Sequence, residues 1–175
     1  MNFIVKYIAE YRIKKLCALP RKKQFVKLGD AKTIGIVFEA TQSSDFDGAK
    51  KFIQQIKDMG KNVHAIGFVD EKITPNFSYI KTDIDLFNKK DLDFFHQLKN
   101  PYIKTFCEEE KDILIEINLG SKTPLRYIAA TSKAKCKVGL HLPQNEMMHD
   151  ILIAISPEQG IDFYLQQVIK YLNVV

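Results

Sequence analysis

From residue 32 onward, short apolar runs alternate with amphipathic segments, and this alternation restricts the fold more than any other feature of the sequence. The clearest runs are Thr33–Phe38, Val63–Val69, Asp112–Ile117 and Cys136–Leu140, with shorter ones at Ile84–Phe87 and Ile151–Ile155. Nearly continuous apolar strands separated by helices are typical of a parallel sheet that is covered on both faces. The sequence therefore predicts an α/β, Rossmann-like domain with a mainly parallel open sheet and helices on both faces, preceded by a basic N-terminal helix.

Helical spacing and capping residues locate the helices between these strands. We predict helices at residues 2–17, 46–59, after Pro101, from Thr123 to about Lys133, and at 161–172. Ser43, Ser44 and Asp45 are expected to cap the second helix, and Thr123 the fourth, with Pro124 in its first turn. The inward side chains of the last helix are expected to be Phe163, Val168, Ile169 and Leu172. Residues 77–80 are a candidate edge strand, and residues 92–98 fit either a helix or a strand.

The first helix has an apolar arc that becomes cationic near its end. The arc consists of Phe3, Ile4, Tyr7, Ile8 and Tyr11, and Lys14 and Lys15 continue it. We expect the apolar half to pack on the domain. Tyr7 and Tyr11 could stack on RNA bases, but packing on the domain is the preferred expectation for both. Pro20 ends the helix, and a connector follows. This divides the chain into a basic helix and connector at residues 1–31 and a Rossmann-like domain at residues 32–175.

The positive charge of the chain is concentrated in its first forty residues. They contain nine basic and three acidic residues, whereas the remainder contains seventeen basic and eighteen acidic residues. A cationic extension on a nearly neutral domain favours a polyanion such as RNA as the partner. The residues expected to contact RNA phosphates are Lys6, Arg12, Lys14, Lys15, Arg21, Lys22, Lys23 and Lys27.

Other classes of protein find little support in the sequence. Cys17, Cys107 and Cys136 are odd in number and form no CxxC pair, so reduced and mostly buried thiols are expected. The four histidines match no metal-ligand spacing, and we expect neither a metal nor a cofactor. No stretch approaches the roughly 20 apolar residues of a membrane span. The opening segment is interrupted by Lys6 and Glu10, unlike a signal peptide, so the cytoplasm is the expected compartment.

One loop could bind an anion. Gly120, Ser121, Lys122 and Thr123 precede a predicted helix, and helix N-termini attract anions. This run resembles the end of a P-loop, but Ser121 separates Gly120 from Lys122, and a turn followed by a helix cap explains it equally. The loop after the first strand lacks the glycines of a dinucleotide site. Glu116, in the middle of a strand, points either into a cleft or to solvent.

The C-terminal half resembles the nucleotide-sugar-binding domains of heptosyltransferase-type glycosyltransferases. The similar segments are Asp112–Ile115, Pro124, Ile128–Ala130, Ser132–Ala134 and Lys137–Gly139. Residues 118–121, Asn-Leu-Gly-Ser, replace the Asp-(Ser/Thr)-Gly-Pro phosphate loop of that family. The resemblance implies an alternative function, a nucleotide-sugar-binding or degenerate glycosyltransferase-like half-domain that acts with a partner.

Over its whole length the chain resembles a family of small Bacteroidota proteins of unknown function. The resemblance rests on the basic opening helix, the Thr33–Phe38 strand and the Pro124–Gly139 segment with its core of residues 125–130, Leu-Arg-Tyr-Ile-Ala-Ala. It implies a lineage-specific large-subunit ribosomal protein, as known from flavobacteria. The expected function is thus that of a non-enzymatic, ribosome-associated protein whose partners are ribosomal RNA and neighbouring ribosomal proteins.

Overall fold

A computed structural model describes residues 3–71, 84–93 and 98–174, and six strands form one sheet within them. The strands are β1 (Thr33–Glu39), β2 (Asn62–Val69), β3 (Ile84–Asn88), β4 (Ile113–Ile117), β5 (Cys136–Leu140) and β6 (Ile151–Ile153). Their order is β3-β2-β1-β4-β5-β6, and every neighbouring pair is parallel. This order is that of Rossmann-like sheets, so the predicted fold class is confirmed.

The helices cover both faces of the sheet. They are α1 (Phe3–Cys17), α2 (Ser43–Asp58), α3 (Pro101–Glu108), α4 (Thr123–Thr131) and α5 (Gly160–Val174). α2 and α5 pack in the core on one face, and α3 and α4 in the core on the other. α1 packs on α4, as a further layer outside it. None of the helices among the described residues is long and apolar enough to cross a membrane.

Alternate side chains of each strand enter different cores, which explains the continuous apolar runs. In β1, Ile34, Ile36 and Phe38 pack with α2 and α5, whereas Val37 faces α3 and α4. β4 repeats this division, with Ile113, Ile115 and Ile117 in the first core. A strand buried on both faces has no position that favours a polar residue, so the polar–apolar alternation of a half-exposed strand is lost.

Several local details differ from the sequence predictions. Ser43, Ser44 and Asp45 lie inside α2, whose N-cap is Gln42 without a side-chain bond. The buried residues of α5 are Tyr164, Leu165, Val168 and Leu172, while Phe163 and Ile169 are half-buried. Val168 and Leu172 are thus buried as predicted. The core position expected for Phe163 is taken by Tyr164, whose hydroxyl donates to the carbonyl of Glu116 at 2.8 Å.

Both ends of α4 also differ from the prediction, and one of the two ambiguous segments is described in part. α4 ends at Thr131 rather than Lys133, since the Lys133 amide donates to the carbonyl of Cys107 at 2.9 Å. Its N-cap is Lys122 rather than Thr123. Leu92 pairs with Leu98 in a single antiparallel bridge, and residues 94–97 and 77–80 lie outside the described residues.

α1 docks on the domain through the side opposite its tyrosines. Val5, Ala9 and Ile13 are buried, and Ile13 packs with Ala130 and Met148. Tyr7 is 67% exposed and Tyr11 is 53% exposed. The expectation that both tyrosines pack on the domain is therefore wrong. Small and β-branched side chains line the docked side, and the aromatic and basic arc faces solvent.

A buried arginine fixes this orientation. Arg126 in α4 is only 3% exposed, and its guanidinium binds both carboxylate oxygens of Glu10, with Nη2 at 2.9 Å from Oε2. Arg126 also donates to the carbonyl of Gln144 at 3.1 Å. The hydrogen bonds from Arg126 lower the pKa of Glu10, against the opposing effect of its partial burial. The Glu10–Arg126 pair thus connects α1 to the domain.

Replacing Glu10 with Gln should destabilise the protein by about 2 kcal/mol at pH 7, because it leaves the Arg126 guanidinium buried without a counter-charge. The pKa of Glu10 is lowered in the folded state, so the unfolded chain binds this proton first on acidification. The stabilisation by Glu10 is complete above its ordinary pKa of 4.5 and disappears as the pH falls through the lower pKa of the folded protein. Urea denaturation at pH 7 and pH 3.5 measures both effects.

Glu158→Gln, a change at an exposed glutamate, provides the matched control and should leave stability within about 0.5 kcal/mol of the wild type. Equal stability of Glu10→Gln and Glu158→Gln at pH 7 would show that the Glu10–Arg126 pair does not stabilise the docked helix.

Candidate nucleic-acid interface

Six of the eight predicted RNA-contacting residues lie exposed on α1 and the connector that follows it. We call this surface the cationic face; its residues are Lys6, Lys14, Lys15, Lys22, Lys23 and Lys27. Lys23 lies 3.8 Å from Asp150, yet its side chain is 66% exposed. Glu10, the one acidic residue of α1, is bound to Arg126. The cationic face can therefore present several ammonium groups to a polyanion without rearrangement.

The connector holds three of these lysines against the edge of the domain. The Gln24 amide donates to the carbonyl of Lys135 at 3.1 Å, and the Leu28 amide to that of Leu172 at 2.8 Å. Val26 and Leu28 are buried, whereas Lys27 between them is exposed. Residues 22–25 of the connector are thus exposed, and from Val26 to Leu28 it runs along the domain with only the Lys27 side chain directed outward.

The other two predicted contacts, Arg21 and Arg12, are less accessible. Arg21 binds both carboxylate oxygens of Asp150, at 2.6 and 2.7 Å, and donates to the carbonyls of Ala134 and Lys135. Its guanidinium is therefore occupied in fixing the connector to β5 and the start of β6. Arg12 is half-buried on α1. We leave Arg21 out of the proposed phosphate contacts, because four partly buried hydrogen bonds would have to break to release it.

The crevice where Rossmann-like sheets bind ligands is lined by ion pairs. It lies between the carboxyl ends of β1 and β4, where the strand order reverses. The Lys122 ammonium is 2.8 Å from Asp70 and 3.2 Å from Glu39, and Lys89 is 2.8 Å from Asp70. The hydrogen bond to Asp70 raises the pKa of Lys122. Two carboxylates beside the ammonium repel a phosphate.

The Gly120–Thr123 run forms a turn that Asn118 closes. The Lys122 amide donates to Asn118 Oδ1 at 2.6 Å, and Asn118 Nδ2 donates to the Lys122 carbonyl at 3.1 Å. Ser121 has a φ of 52°, and its hydroxyl accepts from Gln144 at 3.0 Å. The Ser121 N–H donates to the Asn118 carbonyl at 3.1 Å, so two of the four amides expected to bind an anion, those of Ser121 and Lys122, are not available. These contacts favour the turn and cap over an anion site.

Glu116 points neither into an open cleft nor to solvent. Its side chain is buried, with Oε2 at 2.7 Å from His149 Nε2 and Oε1 accepting from Asn118 at 2.7 Å. Sequence reasoning missed this pair, because His149 comes from the loop before β6. Gly139 was an available signal: a Cβ there would lie 2.4 Å from His149 Nε2, so the ring needs a glycine beneath it.

A second polar cluster lies at the amino end of the sheet and was also missed. His64 Nδ1 lies 3.1 Å from Glu109, and the Tyr102 hydroxyl contacts both His64 and Asp85. Burial and the hydrogen bond to Asp85 raise the pKa of Tyr102. These groups come from β2, β3, α3 and the residue that follows α3, and they are partly exposed. Their polar atoms are therefore hydrogen-bonded to one another at the surface of the protein.

The thiols and acidic groups suggest no reactive centre. Burial raises the pKa of Cys107 to about 12 and also raises that of Cys136, so neither is a thiolate at neutral pH. Both are buried, as expected, and Cys17 is half-buried. Within residues 3–71, 84–93 and 98–174, no group of three or more His, Cys, Asp or Glu side chains is arranged to hold a metal ion.

The sequence matches a known protein family over nearly its whole length. The model of a family of unknown function, DUF6913, matches residues 6–175. The chain belongs to this family. No curated protein matches the sequence. The DUF6913 match includes most of α1, the whole connector and all six strands, so the cationic face lies within the region that defines the family.

Replacing Gly139 with Ala should destabilise this DUF6913 member by about 3 kcal/mol, because the new Cβ would overlap the buried ring of His149 and displace it from Glu116. Thermal and urea denaturation measure the loss. Gly29→Ala is the matched control, since a Cβ at residue 29 has no neighbour within 4 Å, and it should leave stability nearly unchanged. Similar melting temperatures for the two variants would contradict the described position of His149.

Proposed function

We propose that this protein is a non-enzymatic RNA-binding protein that contacts phosphates through the cationic face. The observation that carries this proposal is the exposure of six lysines along α1 and the connector, while the acidic residue of α1 is bound on the docked side. Lysine contacts with phosphates supply affinity without base specificity. Ribosomal RNA, with the neighbouring ribosomal proteins, is the partner that the sequence resemblance implies. The cytoplasm is the compartment expected from the opening segment, which is unlike a signal peptide.

The distribution of charge supports a polyanion over a protein partner. Net charge is +6 in residues 1–40 and −1 in the remainder of the chain. The remainder of the chain is nearly neutral, so the positive electrostatic potential of the protein is concentrated near its N-terminal segment. A one-sided positive field increases the rate of encounter with a polyanion and orients the protein on arrival.

The contacts of the described residues do not favour the alternative, a nucleotide-sugar-binding half-domain. That function would use Gly120–Thr123 and Lys122 at the carboxyl end of the sheet. There Lys122 is bound by Glu39 and Asp70, and the helix start is closed by Asn118. We therefore propose RNA binding and not nucleotide-sugar binding.

Changing Lys14, Lys15 and Lys22 together to Gln should weaken RNA binding by about 100-fold at 0.1 M salt, because about three phosphate contacts are lost. The slope of log K against log salt should become less steep by about two. All three side chains are exposed, so the melting temperature should stay within a few degrees of the wild type. Fluorescence anisotropy with labelled RNA at several salt concentrations measures both quantities.

Lys50, Lys51 and Lys170 changed to Gln are the matched control. These lysines are exposed on α2 and α5, which cover the face of the sheet opposite α4 and the α1 helix docked on it, and the change in net charge is the same. The control should bind RNA within about threefold of the wild type. If both triple variants lose affinity equally, binding follows net charge and not the cationic face.

Association with the ribosome is tested separately by sedimentation of a cell extract through sucrose gradients. At physiological salt the protein should sediment with the large subunit, and it should move to the top of the gradient at high salt as phosphate contacts weaken. If it remains at the top at physiological salt, the ribosome is not its partner, although binding to another RNA could still be measured.

A further inference from the structure

We infer that the outer side of α1 is a stacking platform for unpaired RNA bases, formed by Tyr7 and Tyr11 between the lysines. This inference rests on the proposed function and adds the class of RNA. The cationic face could hold any phosphate backbone, whereas two exposed aromatic rings in the same surface favour a nucleic acid whose bases are free over a duplex. Unpaired bases stack on aromatic side chains, and those of a duplex are already stacked on each other.

The geometry of α1 places rings and charges together. Tyr7, Tyr11, Lys14 and Lys15 fall within about 100° of one another around the helix axis. Tyr7 and Tyr11 are four residues apart, so their Cβ atoms are separated by about 6 Å along one side of the helix. The Lys15 ammonium lies 4.9 Å from the centre of the Tyr11 ring. A base stacked on Tyr11 would therefore have a cation beside its own phosphate.

The exposure of these rings is not required by packing. The docked side of α1 is complete with Val5, Ala9 and Ile13, and the tyrosines contribute nothing to the core clusters. The exposed apolar surface continues past the helix at Leu19 and Phe25, which are 62% and 63% exposed. Leu19 and Phe25 each line a cavity together with Lys23 of the cationic face, so exposed apolar and basic side chains also lie side by side in the connector.

A single-stranded RNA fits this surface better than a protein. Exposed tyrosines alone would also suit a protein partner, but here exposed lysines flank them, with Lys6 before them and Lys14 and Lys15 after them on the same helix. Protein interfaces are depleted in lysine, whereas single-strand sites combine cations that follow the backbone with rings that stack on bases. We therefore assign the surface to unpaired RNA.

Binding of a 12-nucleotide unstructured RNA and of a 12-base-pair RNA duplex to the full chain tests this assignment. Tyr7→Ala with Tyr11→Ala should weaken binding of the single strand by about tenfold per ring. Binding of the duplex should change less than twofold, because the lysines remain. Tyr7→Phe with Tyr11→Phe should keep single-strand binding within about threefold, since the π face is retained. Tyr171→Ala, an exposed tyrosine on α5, should have no effect.

The outcomes distinguish a failure of this inference from a failure of the proposed function. If the tyrosine double variant binds both RNAs like the wild type while Lys14, Lys15 and Lys22 changed to Gln loses both, the phosphate contacts stand and the platform does not exist. Equal losses on single strand and duplex would likewise overturn the preference for unpaired bases. If neither variant changes binding of either RNA, the proposed function fails together with this inference. Unchanged melting temperatures show that each variant is folded.

Discussion

The ion pair between Glu10 and Arg126 determines which side of the N-terminal helix meets solvent. Arg126 is buried in α4, and a buried guanidinium without a counter-charge is strongly destabilising. The carboxylate of Glu10 supplies that charge only when α1 lies on α4 with Ala9 and Ile13 inward. The same rotation turns Tyr7, Tyr11 and the lysines outward. A contact inside the protein thus defines the surface that we propose for RNA.

This arrangement differs from the usual use of the fold. Rossmann-like sheets bind ligands at the carboxyl ends of their central strands. Here Lys122, Asp70 and Glu39 satisfy one another in that crevice, and Asn118 closes the adjacent helix start. The sheet serves as a rigid base, and an added helix and connector carry the exposed charge. Arg21, bound to Asp150, holds the connector in place.

Much of the fold could be predicted from the sequence, because the strands are buried on both faces and read as continuous apolar runs. The candidate site was predicted in part: the six lysines are exposed as expected, but for the tyrosines packing on the domain was preferred over stacking on bases, and they are exposed. Periodicity places Tyr7, Tyr11 and Lys14 on one arc without stating which way the arc faces. That depends on Arg126, more than a hundred residues away in the chain. The Glu116–His149 pair and the role of Arg21 were missed for the same reason, because each depends on a partner that is distant in the sequence.

The central claim, that the outer side of α1 and the connector contact RNA, is tested most directly by an NMR titration of the ¹⁵N-labelled protein with a short unstructured RNA. The account predicts saturable shifts in the amides of α1 and the connector, including Tyr7, Tyr11, Lys15 and Lys22, that reverse when salt is raised. The amides of β1–β6 should remain in place. Shifts centred on residues 120–123 and Asp70, or no saturable shifts at all, would contradict the account.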